Sequence, residues 1–216
     1  MKALLVGATG ATGKDLLQLL IKDVAFQQID IFIRRKPDVN DEKVNIHVID
    51  FNTPEQWQHL VKGDVLFSCL GTTLKDAGSK KAQWKIDYEY QYEFAKAASE
   101  NGVPSYVLVS SAHSSPDAFF YYPKMKGQLE EAVKKLGFRN VRIFRPPILV
   151  RKHSDRTMEI AGRKMLQMLN KVGLFESQKP LSTEILAQAM VNAAKLNKPG
   201  IVTYEGKEIW ERVISE

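Results

Sequence analysis

The chain has 216 residues, of which 44% are hydrophobic and 26% are charged. This length and hydrophobic fraction are those of one ordinary globular domain with a single core. No apolar run approaches the roughly 20 residues that a membrane-spanning helix needs, so we expect no signal peptide, no transmembrane helix and no membrane partner. The formal net charge of +6 favours anionic ligands. It does not distinguish a phosphorylated cofactor from a nucleic acid.

The cysteine and histidine residues restrict the chemistry further. Cys69 is the single cysteine and lies in an apolar run, so we expect a small buried residue, no disulfide and a reducing, cytoplasmic compartment. The four histidines are scattered without the spacing of metal ligands, which predicts no metal site. The basic clusters are short and not interleaved with aromatic residues, so we expect no nucleic-acid partner. The oligomeric state is left open.

Apolar runs of strand length alternate with helical patterns as far as about Ile148, which is typical of a parallel α/β sheet. The predicted strands are Ala3–Val6, Ile29–Ile33, Asn45–Ile49, Val65–Leu70, Tyr106–Ser110 and Val141–Phe144, with Ile201–Tyr204 as a candidate edge strand. Right-handed crossovers then predict an α/β fold: a doubly wound Rossmann-type parallel sheet with helices on both faces. We expect one domain, with a dinucleotide-binding core at 1–148 and a small substrate or lid region at 149–216 that carries a Met-rich helix.

Capping residues and glycines mark the expected helix ends. Thr53–Gln56 combines the cap, first-turn proline and glutamine of a capping box, and Gly63 is expected to close that helix. Gly102 is expected to close the helix before the fifth strand, and Gly137 the helix after it. Ser182 is expected to cap a helix near the C-terminus.

The segment that follows the first strand has the pattern of a phosphate-binding turn. Gly7, Gly10 and Gly13 precede a leucine-rich helix, where glycines permit a tight turn, close approach of a phosphate and close helix packing. Free N–H groups and the dipole at the helix start supply an anion site. The spacing is Gly-x-x-Gly-x-x-Gly, and a glycine triplet alone is weak evidence, so the prediction depends on its place between strand and helix. The predicted cofactor contacts here are Gly7, Thr9, Gly10, Ala11, Thr12 and Gly13.

The end of the second strand is basic. Arg34 and Arg35 stand where an NAD-binding protein usually places a carboxylate for the ribose hydroxyls, and arginine suits a 2′-phosphate. The pattern therefore predicts NADP(H) in preference to NAD(H), with the alternative that both arginines are ordinary exposed charges. Asp30 lies within the strand rather than at its end, which makes it a poor ribose ligand.

Tyr122 and Lys126 share one face of a helix at i, i+4 spacing. A nearby ammonium stabilises a phenolate, which lets a tyrosine exchange a proton near neutral pH. Ser111 follows the fifth strand and is positioned to bond the same substrate oxygen. The residues support this catalytic interpretation and a structural tyrosine with a surface lysine equally. Tyr92 and Lys96 repeat the spacing, but their helix position directs them to solvent or core.

Several segments together resemble the compact atypical branch of the short-chain dehydrogenase/reductase superfamily, in particular its Tat-interacting-protein type. The matching pieces are Gly7–Gly13, Ile33–Lys36, Asp50–Phe51, Cys69–Thr73, Ser110–Ser111, Tyr122–Gly127 and Phe144–Pro146. The resemblance implies an NADP(H) site in which Asp50 and Phe51 frame the adenine. It also implies further cofactor contacts at Cys69, Leu70, Gly71, Thr72, Pro146 and Ile148.

The resemblance assigns roles to the three candidate catalytic residues. It implies that Tyr122 donates or accepts the proton, that Lys126 binds the ribose and lowers the pKa of the tyrosine, and that Ser111 orients the substrate. One departure is Asp87, which stands where many relatives carry an asparagine and so puts a water-mediated proton relay at that position in question. A second departure is the short segment after Pro146, which lacks the large substrate domain of sugar-nucleotide epimerases.

Two functions therefore stay open. The first is a reductase or dehydrogenase that moves hydride between NADP(H) and a small carbonyl or alcohol. The second is an NADP(H)-sensing interaction protein without turnover, in which the cofactor orders 151–175 for a partner. A serine hydrolase built on Ser111 and His113 is disfavoured because no Gly-x-Ser-x-Gly elbow occurs. The identity of the small-molecule substrate and the direction of reaction do not follow from the sequence.

Overall fold

The computed structural model describes residues 1–150, 180–196 and 198–214. The strands are β1 (Lys2–Val6), β2 (Gln28–Ile33), β3 (Val44–Val48), β4 (Val65–Ser68), β5 (Ser105–Val109), β6 (Asn140–Arg145), β7 (Leu149–Val150), β8 (Leu181–Ser182) and β9 (Gly200–Glu205). The helices are α1 (Ala11–Lys22), α2 (Pro54–Trp57), α3 (Leu74–Ala77), α4 (Lys80–Trp84), α5 (Tyr90–Glu100), α6 (Tyr121–Lys134), α7 (Thr183–Lys195) and α8 (Lys207–Ile214). A 3-10 turn (Gln58–Leu60) follows α2, and a π-helical turn (Lys85–Glu89) joins α4 to α5.

Seven parallel strands form one sheet in the order β3-β2-β1-β4-β5-β6-β9. The chain moves outward from β1 in one direction through β2 and β3 and then crosses to β4 on the other side. Ligands bind α/β sheets where the strand order reverses in this way, at the carboxyl ends of the strands. Here that place is the gap between the ends of β1 and β4, where the Cys69 N–H donates to the Val6 carbonyl at 3.0 Å. A separate two-stranded ribbon pairs β7 with β8.

Each face of the sheet carries its own hydrophobic core. Side chains alternate across β1, so Leu5 packs with α1, α7 and α8 on one face, while Leu4 packs with α2, α5 and α6 on the other. On the second face Trp57 is fully buried and stacks on Phe94 with ring centroids 4.0 Å apart. The two cores cover both faces of the sheet. Because the strands are buried on both faces, their sequences are nearly continuous apolar runs.

The predicted fold class is confirmed, and all seven predicted strands occur within one or two residues of their expected bounds. Gly102 ends the α5 region with a φ of +79°, as expected, and the Ser182 hydroxyl accepts from the Ile185 N–H at the start of α7. The Met-rich helix predicted within 149–216 lies outside the described residues. None of the helices within the described ranges is long and apolar enough to cross a membrane.

Three predictions about helix ends were wrong: the Thr53 cap, the Gly63 end and the Gly137 end. The Thr53 side chain does not cap α2, because its hydroxyl donates instead to the Asp50 carbonyl at 3.1 Å. The helix is four residues long and continues only as the 3-10 turn, so Gly63 lies beyond its end. Gly137 does not close α6, which stops at Lys134, and its N–H donates to the Ser99 hydroxyl at 3.0 Å.

Candidate active site

The turn between β1 and α1 is closed by glycine packing. Gly7 has a φ of +85°, and a Cβ built on it would lie 2.5 Å from the Cys69 carbonyl and 2.7 Å from the Leu70 nitrogen. A Cβ on Gly13 would overlap the Gly7 carbonyl. The Gly10 N–H donates back to the Gly7 carbonyl at 2.9 Å, which tightens the turn. These glycines therefore bring the start of α1 directly against the carboxyl ends of β1 and β4.

The start of α1 has the properties of an anion-binding site. Gly10 occupies the N-cap position without a side-chain cap, and the first turn contains no acidic residue. The first N–H groups of a helix have no intrahelical partner, and the helix dipole adds positive potential there. Thr12 and Gly13 are buried and Ala11 is partly buried, so this helix start lies inside the site. A diphosphate is the kind of group that such a position binds.

A cleft with a cavity volume of about 230 Å³ opens beside this turn. It is lined by Gly7, Thr9, Gly10, Arg34, Phe51, Cys69, Leu70, Gly71, Thr72, Ile86 and Tyr90. Nine of these residues are among the cofactor contacts predicted from the sequence, and they come from the ends of β1, β2 and β4 and the loop after β3. The structure therefore brings distant segments of the chain together around one concave surface.

Other predicted cofactor contacts lie outside this lining. Ala11, Thr12 and Gly13 form the helix start, and Arg35 is exposed. Asp50 is also exposed, and the Asn52 backbone and side-chain N–H groups lower the pKa of its carboxyl group. Farther along the sheet, Pro146 is buried, Ile148 is half exposed, and Lys126 is buried within α6.

Sequence reasoning missed two residues of the cleft, Ile86 and Tyr90. The Tyr90 ring packs on Phe51 with centroids 5.2 Å apart, and its hydroxyl donates to the Asn52 side chain at 2.9 Å. The two missed residues are four positions apart on the π-helical turn and α5, so the sequence spacing could have placed them on one helical face. The spacing did not show that this face is directed toward the cleft. Farther along α5, Tyr92 packs against the core.

Among the described residues that line the cleft, Arg34 is the one cation and none is a carboxylate. Asp30 is not available as a ribose ligand, because Lys2 contacts it at 2.8 Å and Gln28, Asn45 and His47 bond it as well. Burial alone would raise the pKa of Asp30, but these hydrogen bonds outweigh it and lower the pKa. The end of β2 therefore places the Arg34 cation at the cleft, whereas the Asp30 carboxylate bonds side chains within the sheet.

Close packing holds the start of α6 against the loop after β5. A Cβ on Gly127 would lie 2.5 Å from the Pro116 nitrogen, so only glycine lets the helix approach this closely. The Ser115 N–H donates to the Pro123 carbonyl at 3.3 Å and ties the loop to the first helical turn. Ser111 is partly buried at the beginning of this loop, next to the carboxyl end of β5. The candidate serine and the candidate tyrosine and lysine thus lie on two tightly joined elements.

Lys126 is almost completely buried and Tyr122 is partly buried. Burial lowers the pKa of Lys126, while the charges of Asp87 and Glu130 oppose this change. Burial raises the pKa of Tyr122, and the charge of Asp87 raises it further. Burial also raises the pKa of the Cys69 thiol to about 12, so it is neutral at physiological pH. The lysine is therefore not a surface charge, and the tyrosine is a protonated phenol.

Asp87 lies in the π-helical turn and is fully buried. Its Oδ2 accepts from the Thr72 N–H at 3.0 Å, while its Oδ1 has no hydrogen-bond partner among the described residues. Burial raises the pKa of Asp87, an effect that Lys126 and the Thr72 N–H reduce. The departure noticed in the sequence is thus a buried acid that bonds the cleft loop and lies on a turn packed against the helix of Tyr122 and Lys126.

A second buried acid lies one helical turn beyond Lys126. Glu130 accepts from the Arg145 guanidinium at 2.6 Å and from the Ser110 hydroxyl at 2.5 Å. Arg145 also contacts Glu205 of β9 at 3.5 Å. Because a buried carboxylate needs such partners, this network fixes the ends of β5, β6 and β9 around α6. Among the described residues, no group of three or more His, Cys, Asp or Glu side chains is arranged to hold a metal ion.

Comparison with known proteins agrees with this geometry. A family described as NAD(P)H-binding matches residues 7–194. The chain is 34% identical over 223 residues to "Protein FMP52-1, mitochondrial" of Scheffersomyces stipitis, with 98% of each chain covered. Its fold is similar to the Bordetella bronchiseptica enzyme WbmH in complex with NAD⁺, at a TM-score of 0.72 and 15% identity, covering 94% of this chain and 75% of that one. It is also similar to human epimerase family protein SDR39U1 with NADPH, at a TM-score of 0.62 and 17% identity, covering 94% and 73%.

These structural likenesses show the fold alone, and the neighbours bind either NAD⁺ or NADPH. The relatives do overturn one expectation. The absence of disulfides suggested a cytoplasmic location, but the curated fungal relatives are named mitochondrial, which contradicts it. The argument was insufficient, because a single cysteine indicates only that the chain forms no internal disulfide. It gives no information about the cellular compartment.

Proposed function

Because the chain belongs to the NAD(P)H-binding family within the atypical short-chain dehydrogenase/reductase superfamily, we propose that it binds NADP(H) in the cleft and moves hydride between this cofactor and a small carbonyl or alcohol. The observation that carries the proposal is the glycine turn, in which side chains are excluded at Gly7 and Gly13 beside the uncapped start of α1. A backbone cradle of this kind fits a diphosphate bridge. Phe51 and Tyr90 supply an apolar wall for a base.

The charge of the cleft supports the proposed preference for NADP(H). Arg34 forms part of its lining, and a guanidinium pairs with a phosphate through two parallel hydrogen bonds. The acid of the same strand, Asp30, is occupied by Lys2 and its other partners. Arg34→Ala should therefore weaken NADPH binding by about tenfold or more, the loss of one charge-assisted pair, and change NADH binding little. Arg35→Ala is the matched control, because Arg35 is not among the residues that line the cleft.

When bound, the nicotinamide supplies or accepts the hydride. Tyr122 donates a proton to the carbonyl oxygen in reduction, and Ser111 orients that oxygen by a hydrogen bond. Lys126 would supply a positive charge on the same face of α6 as the tyrosine and would bind the ribose. The burial of Lys126 within α6 and the charges of Asp87 and Glu130 support this role, because those charges oppose the lowering of its pKa by burial.

The proposal is tested by calorimetry and by turnover. NADPH and NADH are titrated into the purified chain, and NADPH consumption is followed across a panel of small aldehydes and ketones. Tyr122→Phe should remove at least about 99% of any turnover with NADPH affinity nearly unchanged, as expected for loss of a general acid. Tyr121→Phe is the matched control, because the Tyr121 hydroxyl bonds the Lys80 carbonyl at 2.7 Å instead.

The outcomes separate binding from chemistry. No heat and no shift in melting temperature with either cofactor would refute the cofactor site. Cofactor binding without turnover of any substrate would refute the proposed hydride transfer but not the proposed cofactor site. Tighter binding of NADH than of NADPH would overturn the preference for NADP(H).

A further inference from the structure

The loop after β5 contains one strained backbone position. His113 has a φ of +60°, and among the described residues it is the one position other than glycine with a positive φ. A side chain is disfavoured in this left-handed region, so neighbouring groups must hold the backbone there. His113 lies two positions after Ser111, the serine that orients the substrate oxygen in the proposed function. The strain therefore lies in the loop that positions a candidate catalytic residue.

Glu205, the last residue of β9, holds His113. One oxygen of its carboxylate, Oε1, accepts from the His113 N–H at 3.3 Å. The other oxygen, Oε2, lies 3.5 Å from Nη1 of Arg145, the last residue of β6. The strand register also places Arg145 and Glu205 opposite each other on neighbouring strands. Glu205 therefore links the strained loop to the end of the sheet.

Arg145 is itself fixed by a buried acid on α6. Its Nη2 donates to Glu130 Oε2 at 2.6 Å and its Nε donates to Oε1 at 3.1 Å, so the guanidinium binds the carboxylate through two hydrogen bonds. A pair of this kind fixes the orientation of the guanidinium. Glu130 is buried and also accepts from the Ser110 hydroxyl at 2.5 Å. The nitrogen of Arg145 that contacts Glu205 is thus held on a rigid support.

Hydrogen bonds anchor the loop on both sides of His113. On one side the Ala112 N–H donates to the Pro146 carbonyl at 3.0 Å. On the other side the Ser114 N–H and hydroxyl donate to the Ser111 carbonyl at 3.2 and 2.7 Å. A return of His113 to a negative φ would rotate its two flanking peptide groups relative to each other and disturb both anchors. The conformation of His113 and the place of Ser111 are therefore coupled.

We propose that Glu205 is a positioning residue, which holds His113 in its left-handed conformation and so keeps Ser111 in place to orient the substrate oxygen. This inference rests on the proposed function and extends the site to the edge strand β9. Glu205 acts through the backbone of the loop, and none of its bonds forms or breaks in the reaction. Its removal releases His113 toward a negative φ and loosens the hydrogen bonds of Ala112 and Ser114.

The first test is amide hydrogen exchange in the whole chain, which needs no turnover. In the unaltered chain the Ala112 and Ser114 amides should be protected relative to an unstructured peptide. In Glu205→Ala both should exchange about tenfold faster, because the carboxylate no longer opposes the strain at His113. Loss of the direct contact alone would accelerate only the His113 amide. The β1 amides, followed in the same sample, should not change and so report any general loss of stability.

The decisive comparison removes the strain itself. Glycine adopts a positive φ readily, so in His113→Gly the loop no longer depends on the carboxylate. Adding Glu205→Ala to His113→Gly should therefore accelerate exchange of the two loop amides by about twofold at most. Glu211→Ala is the matched control, because it removes an exposed acid of α8 that lies 4.0 Å from Lys207, and it should leave the loop amides unchanged.

Turnover of a carbonyl substrate gives a second readout. Glu205→Ala should lower kcat/KM about tenfold with NADPH affinity unchanged, because a substrate-orienting serine is displaced while the cofactor cleft is intact. The same substitution should cost little in the His113→Gly background. A purely structural loss would lower activity equally in both backgrounds.

Three results would overturn the inference: unprotected loop amides in the unaltered chain, unchanged exchange in Glu205→Ala, or equal acceleration with His113 and with glycine at that position. The first needs no variant, so it decides the matter even if the variants do not fold. A chain that binds NADPH without turnover refutes hydride transfer, while the exchange measurements still judge Glu205.

Discussion

Replacement of Gly7 by alanine would add two separate energetic costs that glycine avoids in the turn between β1 and α1. The first is conformational, because Gly7 has a φ of +85° and an L-residue pays about 1–2 kcal/mol in that region. The second is steric, because the new Cβ would lie 2.5 Å from the Cys69 carbonyl and 2.7 Å from the Leu70 nitrogen. Both contacts are with the backbone of the neighbouring segment, so no side-chain rotation relieves them.

The steric cost is the more informative of the two. Overpacking a closely packed site costs about 1–3 kcal/mol, so Gly7→Ala should destabilise the fold by roughly 2–5 kcal/mol in total. Gly78→Ala is the matched control, because Gly78 has a φ of +77° and no atom lies within 4 Å of its Cβ position. It should cost only the conformational part. The gain from a stiffer unfolded chain is common to both variants and cancels in their difference.

The assay is urea unfolding of the unaltered chain and both variants, followed by NADPH titration of the folded proteins. Gly7→Ala should unfold more easily than Gly78→Ala by about 1–3 kcal/mol and should also bind NADPH less well, since β1 and β4 must separate. Gly78→Ala should bind NADPH normally. Equal destabilisation by the two substitutions would refute the argument that the turn is closed against the backbone after β4.

Two further predictions concern stability. The pKa of Asp30 is lowered in the folded state, so the stability that it contributes is present above its unfolded pKa of about 3.9 and is lost as pH falls through the folded pKa. The free energy of unfolding of Asp30→Asn should therefore fall less steeply below about pH 4 than that of the unaltered chain, and equal slopes would contradict the ion-pair assignment. Ser182→Ala should cost about 1 kcal/mol in urea because it removes a formed cap, whereas Thr53→Ala should cost clearly less. The reverse order of these two costs would show that the caps are misassigned.

The strands and the glycine turn were predictable because their signals are local. A buried parallel strand is an apolar run whatever its neighbours are, and Gly7 reports a backbone angle that few other residues adopt. The same local rule failed at Thr53. There the Trp57 indole turns inward to stack on Phe94 and donates to the Asp50 carbonyl at 2.9 Å, and the Thr53 hydroxyl joins that carbonyl instead of capping the helix. A distant packing partner thus decided a helix end that the local sequence described differently.

The amino-acid sequence by itself determined the strands, the glycine turn and the basic end of β2, since each depends on residues adjacent in the chain. Only the tertiary structure decided where Asp87 and Tyr90 lie. Asp87 is fully buried because its π-helical turn packs against α6, more than 30 residues farther along the chain. Tyr90 lines the cleft because Phe51 packs on it. The physical reason is that charge interaction and burial depend on distances through space and on the exclusion of water, and both are set only when separate elements pack together.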